Sequence, residues 1–176
     1  MMFEIKEVLL TKEQIHTRVK ELGRQIEADY KGKTPFMVCI LKGSIVFFAD
    51  LIREINLNLS IDTMVVSSYG ESTTSSGAIK IVKDLDESLI EQDVIVVEDI
   101  VDTGTTMFNL KKQFEKRGIN SFKVVTLLDK PSRRRFDFEP DYIGFTIPDK
   151  FIVGYGLDFA EQYRNLPDIC ILDNLE

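Results

Sequence analysis

The fold is decided by one stretch of the chain, VVEDIVDTGTT at residues 96–106. It continues an apolar run, VIVV at 94–97, which is typical of a strand that is buried on both faces of its sheet. A turn of Thr and Gly follows the acidic residues. Apolar residues at helical spacing then predict a helix over 107–117, which Gly118 ends. The stretch therefore predicts a strand, an acidic turn and a helix in immediate succession.

The same alternation extends along the chain in both directions. Helices are predicted over roughly Lys12 to Tyr30 and from Ser44, which is a plausible N-cap. The predicted strands are FMVCIL, IDTMVVSSY, VIVV, FKVVTLL, DYIGFTI, FIVGYGL and ICIL. Apolar runs that alternate with helices favour an α/β fold with a mostly parallel sheet flanked by helices, formed by residues 1–176 as one domain.

Composition limits the class of protein. The 176 residues are 44% hydrophobic and 29% charged, which suits a globular domain with an ordinary surface. No stretch approaches the roughly 18 apolar residues of a membrane span, and MMFEIKEVLL does not resemble a signal peptide, so we expect a cytoplasmic protein. A net charge of −7 argues against broad nucleic-acid binding, although the basic run DKPSRRRF at 129–136 could attract a phosphate-rich ligand.

Histidine and cysteine offer little material for a metal centre or a nucleophile. Cys39 and Cys170 stand in apolar runs and are predicted to be buried, reduced thiols. His16, the single histidine, stands in a polar helical stretch and is predicted to lie at the surface. These residues cannot assemble a zinc site of nitrogen and sulfur ligands within one chain. A Ser-His-Asp or Cys-His mechanism would have to recruit His16.

The acidic turn is where ligand chemistry is expected. Glu98, Asp99 and Asp102 come at the carboxyl end of a buried strand, where open α/β sheets bind their ligands. The turn at 103–106 opens a helix and offers N–H groups and hydroxyls to an anion. Alternatively, Asp102 caps the helix and the other two face solvent, but the repulsion within such a cluster requires a cation or hydroxyl donors. Ribose 5-phosphate has a phosphate that suits the turn and vicinal hydroxyls that suit the carboxylates.

Two common nucleotide motifs do not occur. There is no GxxxxGK[ST] and no GxGxxG after an early strand, so neither a nucleoside-triphosphatase loop nor a dinucleotide fold is supported. VVEDIVDTGTT instead resembles the phosphoribosyl-pyrophosphate signature of the type I phosphoribosyltransferases. Four further segments resemble the hypoxanthine and hypoxanthine-guanine members: LKGS at 41–44, SSYG with SSG at 67–77, LDKPSRR at 128–134, and PDKFIVGYGLDFAEQYRNLP at 148–167.

The resemblance covers nearly the whole chain and implies a type I fold with a small hood formed by terminal segments. It implies transfer of phosphoribose from 5-phosphoribosyl-1-pyrophosphate to a 6-oxopurine, with Mg²⁺ as cofactor. Glu98 and Asp99 would bind the ribose hydroxyls and help to hold the metal, and Asp102 would be the general base. The 5-phosphate would lie on Thr103, Gly104, Thr105 and Thr106.

The resemblance also assigns the pyrophosphate. Lys42 and Gly43 would turn an amide toward it, often through a strained non-proline cis bond, and Arg164 would grip it bidentately. Asp158 would hold a second Mg²⁺, directly or through water. Read without the family, the KGS turn is an ordinary helix cap and Arg164 is a surface arginine.

The purine side follows in the same way. Lys130 would read the 6-oxo group, Phe151 would stack on the base, and the backbone of Ile152 would complete recognition of the base edge. Phe151 could equally be a core aromatic. Lys150 would support the 6-oxo or the pyrophosphate side.

Ser68 and Tyr69 begin a polar loop that closes over the reacting centre in this family and excludes water, although a plain surface loop has the same composition. The family is usually dimeric or tetrameric, so the expected partners are the two small-molecule substrates and further copies of the chain, with no nucleic acid or membrane.

Two other functions are compatible with an acidic turn. A regulatory protein on the same scaffold would sense a nucleotide and bind nucleic acid, which requires a broad basic face. A signalling receiver domain binds magnesium at an acidic cluster, but it places its acid pair after the first strand. Here the cluster lies past the midpoint of the chain.

Overall fold

A computed structural model describes residues 5–68 and 79–172 of the protein. It contains three α-helices, α1 Lys12–Asp29, α2 Ile45–Arg53 and α3 Thr105–Glu115, and a short 3-10 helix at Pro131–Arg133. The strands are β1 Ile5–Leu10, β2 Phe36–Leu41, β3 Ser60–Ser68, β4 Ile79–Lys83, β5 Asp93–Val101, β6 Ser121–Asp129, β7 Tyr142–Thr146, β8 Ile152–Val153 and β9 Ile169–Leu172.

Six of the strands form the main sheet, in the order β4-β3-β2-β5-β6-β7. All neighbours are parallel except β4, which runs antiparallel to β3. This confirms the predicted α/β fold with a mostly parallel sheet. Because β2 and β5 are adjacent and parallel, the turns that follow them meet at the same edge of the sheet.

The three remaining strands form a separate antiparallel sheet in the order β1-β9-β8. Its strands come from the two ends of the chain, as Ile5 pairs with Leu172 and Ile152 pairs with Ile171. This confirms the hood that the family resemblance implied. The N-terminal strand β1 itself was not predicted, and neither was the edge strand β4.

Helices cover both faces of the main sheet. One buried cluster includes apolar residues of α1 and α2, and a second includes those of α3. Helix α1 begins with a complete capping box, in which Thr11 and Gln14 satisfy each other's backbone N–H groups. The prediction that Ser44 caps α2 is wrong in its chemistry, because the buried Ser44 hydroxyl donates to the Ile40 carbonyl at 2.6 Å instead.

The minor predictions about thiols and histidine are confirmed. Cys39 and Cys170 are buried free thiols, and burial raises the pKa of Cys39 to about 11. His16 lies exposed on α1. Within residues 5–68 and 79–172, no helix has both the length and the apolar character needed to cross a membrane.

Candidate active site

A pair of carboxylates stands at the end of β5. Glu98 and Asp99 are half-buried by surface area, yet protein atoms surround both carboxyl groups. Burial, and then the charge and hydrogen bond of Asp99, raises the pKa of Glu98 well above its usual range. Burial also raises the pKa of Asp99, against the hydrogen bond from Glu98. Oxygen Oε2 of Glu98 is buried and has no hydrogen-bond partner among the described residues, so it can accept one from a ligand.

The start of α3 lies next to Glu98. A cavity of about 90 Å³ is lined by Glu98, Asp102 and the turn at 103–106. The N-cap is Gly104, in a left-handed conformation with φ of 80°, and no side chain caps the helix. Because a helix N-terminus concentrates N–H donors and positive potential, this cavity suits a phosphate group. The hydroxyls of Thr103 and Thr105 lie 2.8 Å apart at its wall.

Two arginines of the basic run contact Asp102. Arg133 Nε lies 3.0 Å from Asp102 Oδ1, an ion pair whose angles fall short of a hydrogen bond, so this buried oxygen has no bonded donor in the described chain. Arg134 donates to the Asp102 carbonyl at 2.7 Å and also pairs with the buried Asp129. Arg133 and Arg134 therefore fix the acidic turn. The sequence suggests that this basic run could attract a phosphate-rich ligand, whereas in the structure Arg133 and Arg134 pair with the carboxylates of Asp102 and Asp129.

The residues expected at the pyrophosphate converge on one carboxylate that the sequence did not single out, Glu161. Lys42 Nζ lies 2.9 Å from Glu161 Oε2, and Arg164 Nη2 lies 3.4 Å from Glu161 Oε1. Arg164 also contacts Asp158 Oδ1 at 2.8 Å, and its Nε is buried without a hydrogen-bond partner in the part described. The non-proline cis peptide joins Leu41 to Lys42, one bond before the Lys42-Gly43 peptide for which the family resemblance suggests it.

Gly43 lies in the turn after β2 and connects this turn to the carboxylate pair. A Cβ atom at position 43 would lie 1.6 Å from Asp99 Oδ2 and 2.7 Å from Asp99 Cγ. Only glycine lets the main chain approach the carboxylate this closely. The turns after β2 and β5 are therefore in direct contact, as the sheet order requires.

The expected base-binding residues lie together beyond β6. Lys130 is buried and donates from Nζ to the Lys150 carbonyl at 2.6 Å. Phe151 is 50% exposed and meets the ring of Phe159 edge-on, with the ring centroids 5.3 Å apart, so it is not the core aromatic of the alternative interpretation. Ile152 is buried in β8, which pairs only with β9 in the described sheet.

One predicted element cannot be placed. Ser68 ends β3, its side chain lies outside the described residues, and so do Tyr69 and the rest of the polar loop through residue 78.

The residues that are present suit a hard cation. No group of three His, Cys, Asp or Glu side chains in residues 5–68 and 79–172 could hold a metal by itself. The pair formed by Glu98 and Asp99, with its unpartnered buried oxygen, suits Mg²⁺, which commonly binds one or two carboxylates and completes its shell with substrate oxygens and water. Both oxygens of Asp158 are already engaged, by Arg164 and by the Glu161 N–H.

The sheet order, the uncapped helix and the carboxylate pair define a class, the α/β proteins that bind a sugar phosphate at the carboxyl edge of the sheet. The family model described as Phosphoribosyl transferase domain matches residues 7–160. A hypoxanthine-guanine phosphoribosyltransferase of Streptococcus thermophilus is 49% identical over 169 residues, which are 96% of this chain and 94% of that protein. The chain therefore belongs to the phosphoribosyltransferase family and, within it, to the hypoxanthine-guanine phosphoribosyltransferases.

Solved structures agree with this assignment. A crystal structure of a Staphylococcus aureus hypoxanthine phosphoribosyltransferase matches with a TM-score of 0.92 and 52% identity, covering 96% of this chain and 92% of that one. A Trypanosoma cruzi hypoxanthine phosphoribosyl transferase matches with a TM-score of 0.92 and 40% identity, over 96% and 92% of the two chains. The receiver-domain alternative is wrong, and these relatives give the regulatory alternative no support.

Proposed function

We propose that this chain is an enzyme of purine salvage that transfers the 5-phosphoribosyl group of 5-phosphoribosyl-1-pyrophosphate to N9 of hypoxanthine and of guanine. The products are IMP or GMP and pyrophosphate. The observation that carries the proposal is the cavity at the start of α3. There an uncapped helix N-terminus and the carboxylates of Glu98 and Asp102 face the same small space.

The sugar phosphate would bind across this cavity. The 5-phosphate takes the N–H groups and hydroxyls of the turn, Thr103, Gly104, Thr105 and Thr106. The ribose hydroxyls then reach Glu98 and Asp99, where they satisfy the unpartnered oxygen and relieve the repulsion within the pair.

The same two carboxylates would hold Mg²⁺, together with substrate oxygens, and Asp158 would support a second ion once its contacts are exchanged. Bound there, the metal would neutralise charge on the diphosphate. The diphosphate itself would lie against the Lys42-Gly43 turn and the guanidinium of Arg164. Holding both ends of the substrate fixes C1′ between the diphosphate and the incoming base.

The base would stack on Phe151, with its 6-oxo group toward Lys130 and its edge against the backbone of Ile152. Lys150 holds Lys130 in place through its carbonyl, which is a supporting contact. In the reaction, the bond from C1′ to the diphosphate breaks as N9 attacks the opposite face, which inverts C1′. Asp102 accepts the proton that the imidazole ring of the base releases.

Further parts of the proposal concern organisation. The loop that begins at Ser68 and Tyr69 would close over the site and exclude water. Residues 1–176 would act as one domain, in a cytoplasmic homodimer or homotetramer whose ligands are the two substrates. In the Trypanosoma cruzi relative the C-terminal region has a role in the oligomeric state, which supports an assembly.

A substrate panel tests the proposal. Initial rates are measured with phosphoribosyl pyrophosphate, Mg²⁺ and each of hypoxanthine, guanine, xanthine and adenine. We expect turnover with hypoxanthine and guanine and very little with adenine. Absence of turnover with every base, or retention on nucleic acid without turnover, would refute it.

A further inference from the structure

One tight turn of the hood contacts the turn at Lys42 and Gly43, and the proposed reaction assigns no role to it. Three consecutive residues after β8 have positive φ: Gly154 at 100°, Tyr155 at 51° and Gly156 at 101°. Reciprocal backbone bonds of 3.0 Å between Gly154 and Leu157 close this turn. Because a positive φ is uncommon for a residue with a side chain, three in succession indicate that the path of the chain is closely specified here.

Gly156 is where the turn contacts the pyrophosphate side of the site. A Cβ at this position would lie 2.2 Å from the Gly43 carbonyl oxygen and 3.7 Å from Val46 Cβ. Gly43 in turn lies directly on the Asp99 carboxylate. Three elements that are remote in sequence are therefore stacked through two glycines: the hood turn, the turn after β2, and the acidic end of β5.

The same turn positions Arg164. The Gly156 carbonyl accepts from Arg164 Nη1 at 2.8 Å, and the Gly156 N–H donates to the Arg164 carbonyl at 2.9 Å. The turn thus contacts both components that would bind the diphosphate, the Lys42-Gly43 backbone and the Arg164 guanidinium.

Tyr155 fastens this turn to the main domain. Its ring is buried, and its hydroxyl donates to Asp50 Oδ2 on α2 at 2.6 Å. Burial, and then the bond to Asp50, raises the pKa of Tyr155, so the hydroxyl stays protonated and remains a donor. Helix α2 begins immediately after the Lys42-Gly43 turn. The bond from Tyr155 to Asp50 therefore fixes the hood turn to the helix that follows the backbone proposed to bind the diphosphate.

We propose that Tyr155 and Gly156 are positioning residues for the diphosphate half of the site, which set the placement of Gly43 and Arg164 without touching substrate. The inference rests on the proposed function. It predicts that changes at these two residues weaken the use of phosphoribosyl pyrophosphate selectively and leave the use of the purine nearly unchanged.

Two glycine variants form a matched pair for the test. Gly154→Ala has the same backbone strain as Gly156→Ala, and its Cβ would collide as closely, at 2.0 Å, but with the Asp168 carbonyl inside the hood. We expect both to lower the melting temperature similarly. Only Gly156→Ala should raise KM for phosphoribosyl pyrophosphate relative to KM for hypoxanthine, by about tenfold.

A milder pair covers the case in which neither glycine variant folds. Tyr155→Phe keeps the buried ring and removes the bond to Asp50, which should raise KM and the calorimetric Kd for phosphoribosyl pyrophosphate about tenfold. Asp50→Ala should reproduce this effect, whereas Asp50→Asn retains an acceptor and should restore most of the affinity.

The possible outcomes distinguish a failure of the proposed function from a failure of the positioning role. An inactive wild-type protein would refute the proposed function. An active wild type whose Tyr155→Phe variant binds both substrates normally, or whose two glycine variants change both KM values in parallel, would overturn the positioning role alone.

Discussion

Replacing Gly43 by alanine is expected to disable the site while leaving the fold largely intact. The new Cβ would be placed 1.6 Å from Asp99 Oδ2, whereas ordinary van der Waals contact begins at 3.4 Å. The turn and the carboxylate must therefore separate by about 1.8 Å, the difference between these two distances. Since a misplacement of about 1 Å in an active site can reduce the rate about 100-fold, kcat/KM for phosphoribosyl pyrophosphate should fall by at least about 100-fold.

A double-mutant cycle with Asp99→Ala isolates this contact. Alone, Gly43→Ala should lower the free energy of unfolding by about 1–3 kcal/mol, the usual result of forcing an extra methyl into a packed region. In the Asp99→Ala background the carboxylate is gone, so the same substitution should change stability by less than about 0.5 kcal/mol. Urea denaturation of the four proteins gives the coupling energy, and steady-state kinetics on Gly43→Ala gives the loss of activity.

Equal destabilisation of both backgrounds by Gly43→Ala would contradict this prediction, because the methyl group would then be colliding with something other than Asp99. Wild-type kcat/KM in Gly43→Ala would contradict it as well. In that case the placement of this turn relative to the acidic pair would not matter for the reaction.

Four other substitutions test separate parts of the site. Asp102→Ala should reduce kcat about 100- to 10,000-fold, the range of general acid–base catalysis, with little change in the affinity for phosphoribosyl pyrophosphate; near-normal turnover would remove it as the base. Lys130→Met keeps the buried stem but removes the ammonium, so the preference for hypoxanthine over adenine should fall by about 10- to 100-fold, and an unchanged preference would contradict its role. Glu161→Gln should tighten pyrophosphate inhibition by about two- to fivefold, because the carboxylate that now pairs with Lys42 and Arg164 no longer competes for them; weaker inhibition would contradict this. Because the pKa of Glu98 is raised, the folded protein holds that proton more tightly than the unfolded chain, so stability is lost as pH rises above the ordinary carboxyl range. Glu98→Gln should therefore raise the melting temperature of the metal-free protein more at pH 7 than at pH 4, and calorimetry showing equal gains would argue against it.

The elements that could be predicted are those whose own residues show a pattern of buried apolar positions. The strands β5 and β6 are continuous apolar runs, and α1 has apolar residues at helical spacing, so each carries its own signal. Strand β1 carries no such signal, since most of its residues are exposed and its order comes from pairing with β9 at the other end of the chain. Ser44 shows the same limit for a single side chain, because the buried Ile40 carbonyl takes its hydroxyl.

The site residues, too, could be predicted only where they are close together in sequence. Glu98 and the turn at 102–106 were predictable as one cavity because they are close in sequence, so one strand end and one helix start bring them together. Asp99 does not line this cavity and lies against Gly43 of the turn after β2. The contacts of Arg133 with Asp102 and of Glu161 with Lys42 join segments that are remote in sequence. Their residue types, an exposed arginine and an exposed glutamate, are those of ordinary surface positions, so no local pattern distinguishes them.

The carboxylate pair explains why the acidic turn was informative in the first place. Two adjacent carboxyl groups enclosed by protein repel each other, and the raised pKa of both Glu98 and Asp99 reflects burial that disfavours their charged forms. A fold under selection for stability alone would have no reason to keep both, since glutamine at position 98 would fill a similar volume without the charge. Their joint presence is accounted for by a ligand that brings hydroxyl donors or a cation to the end of β5, beside the cavity that Glu98 lines. The local loss of stability is therefore an argument for binding that does not depend on any relative.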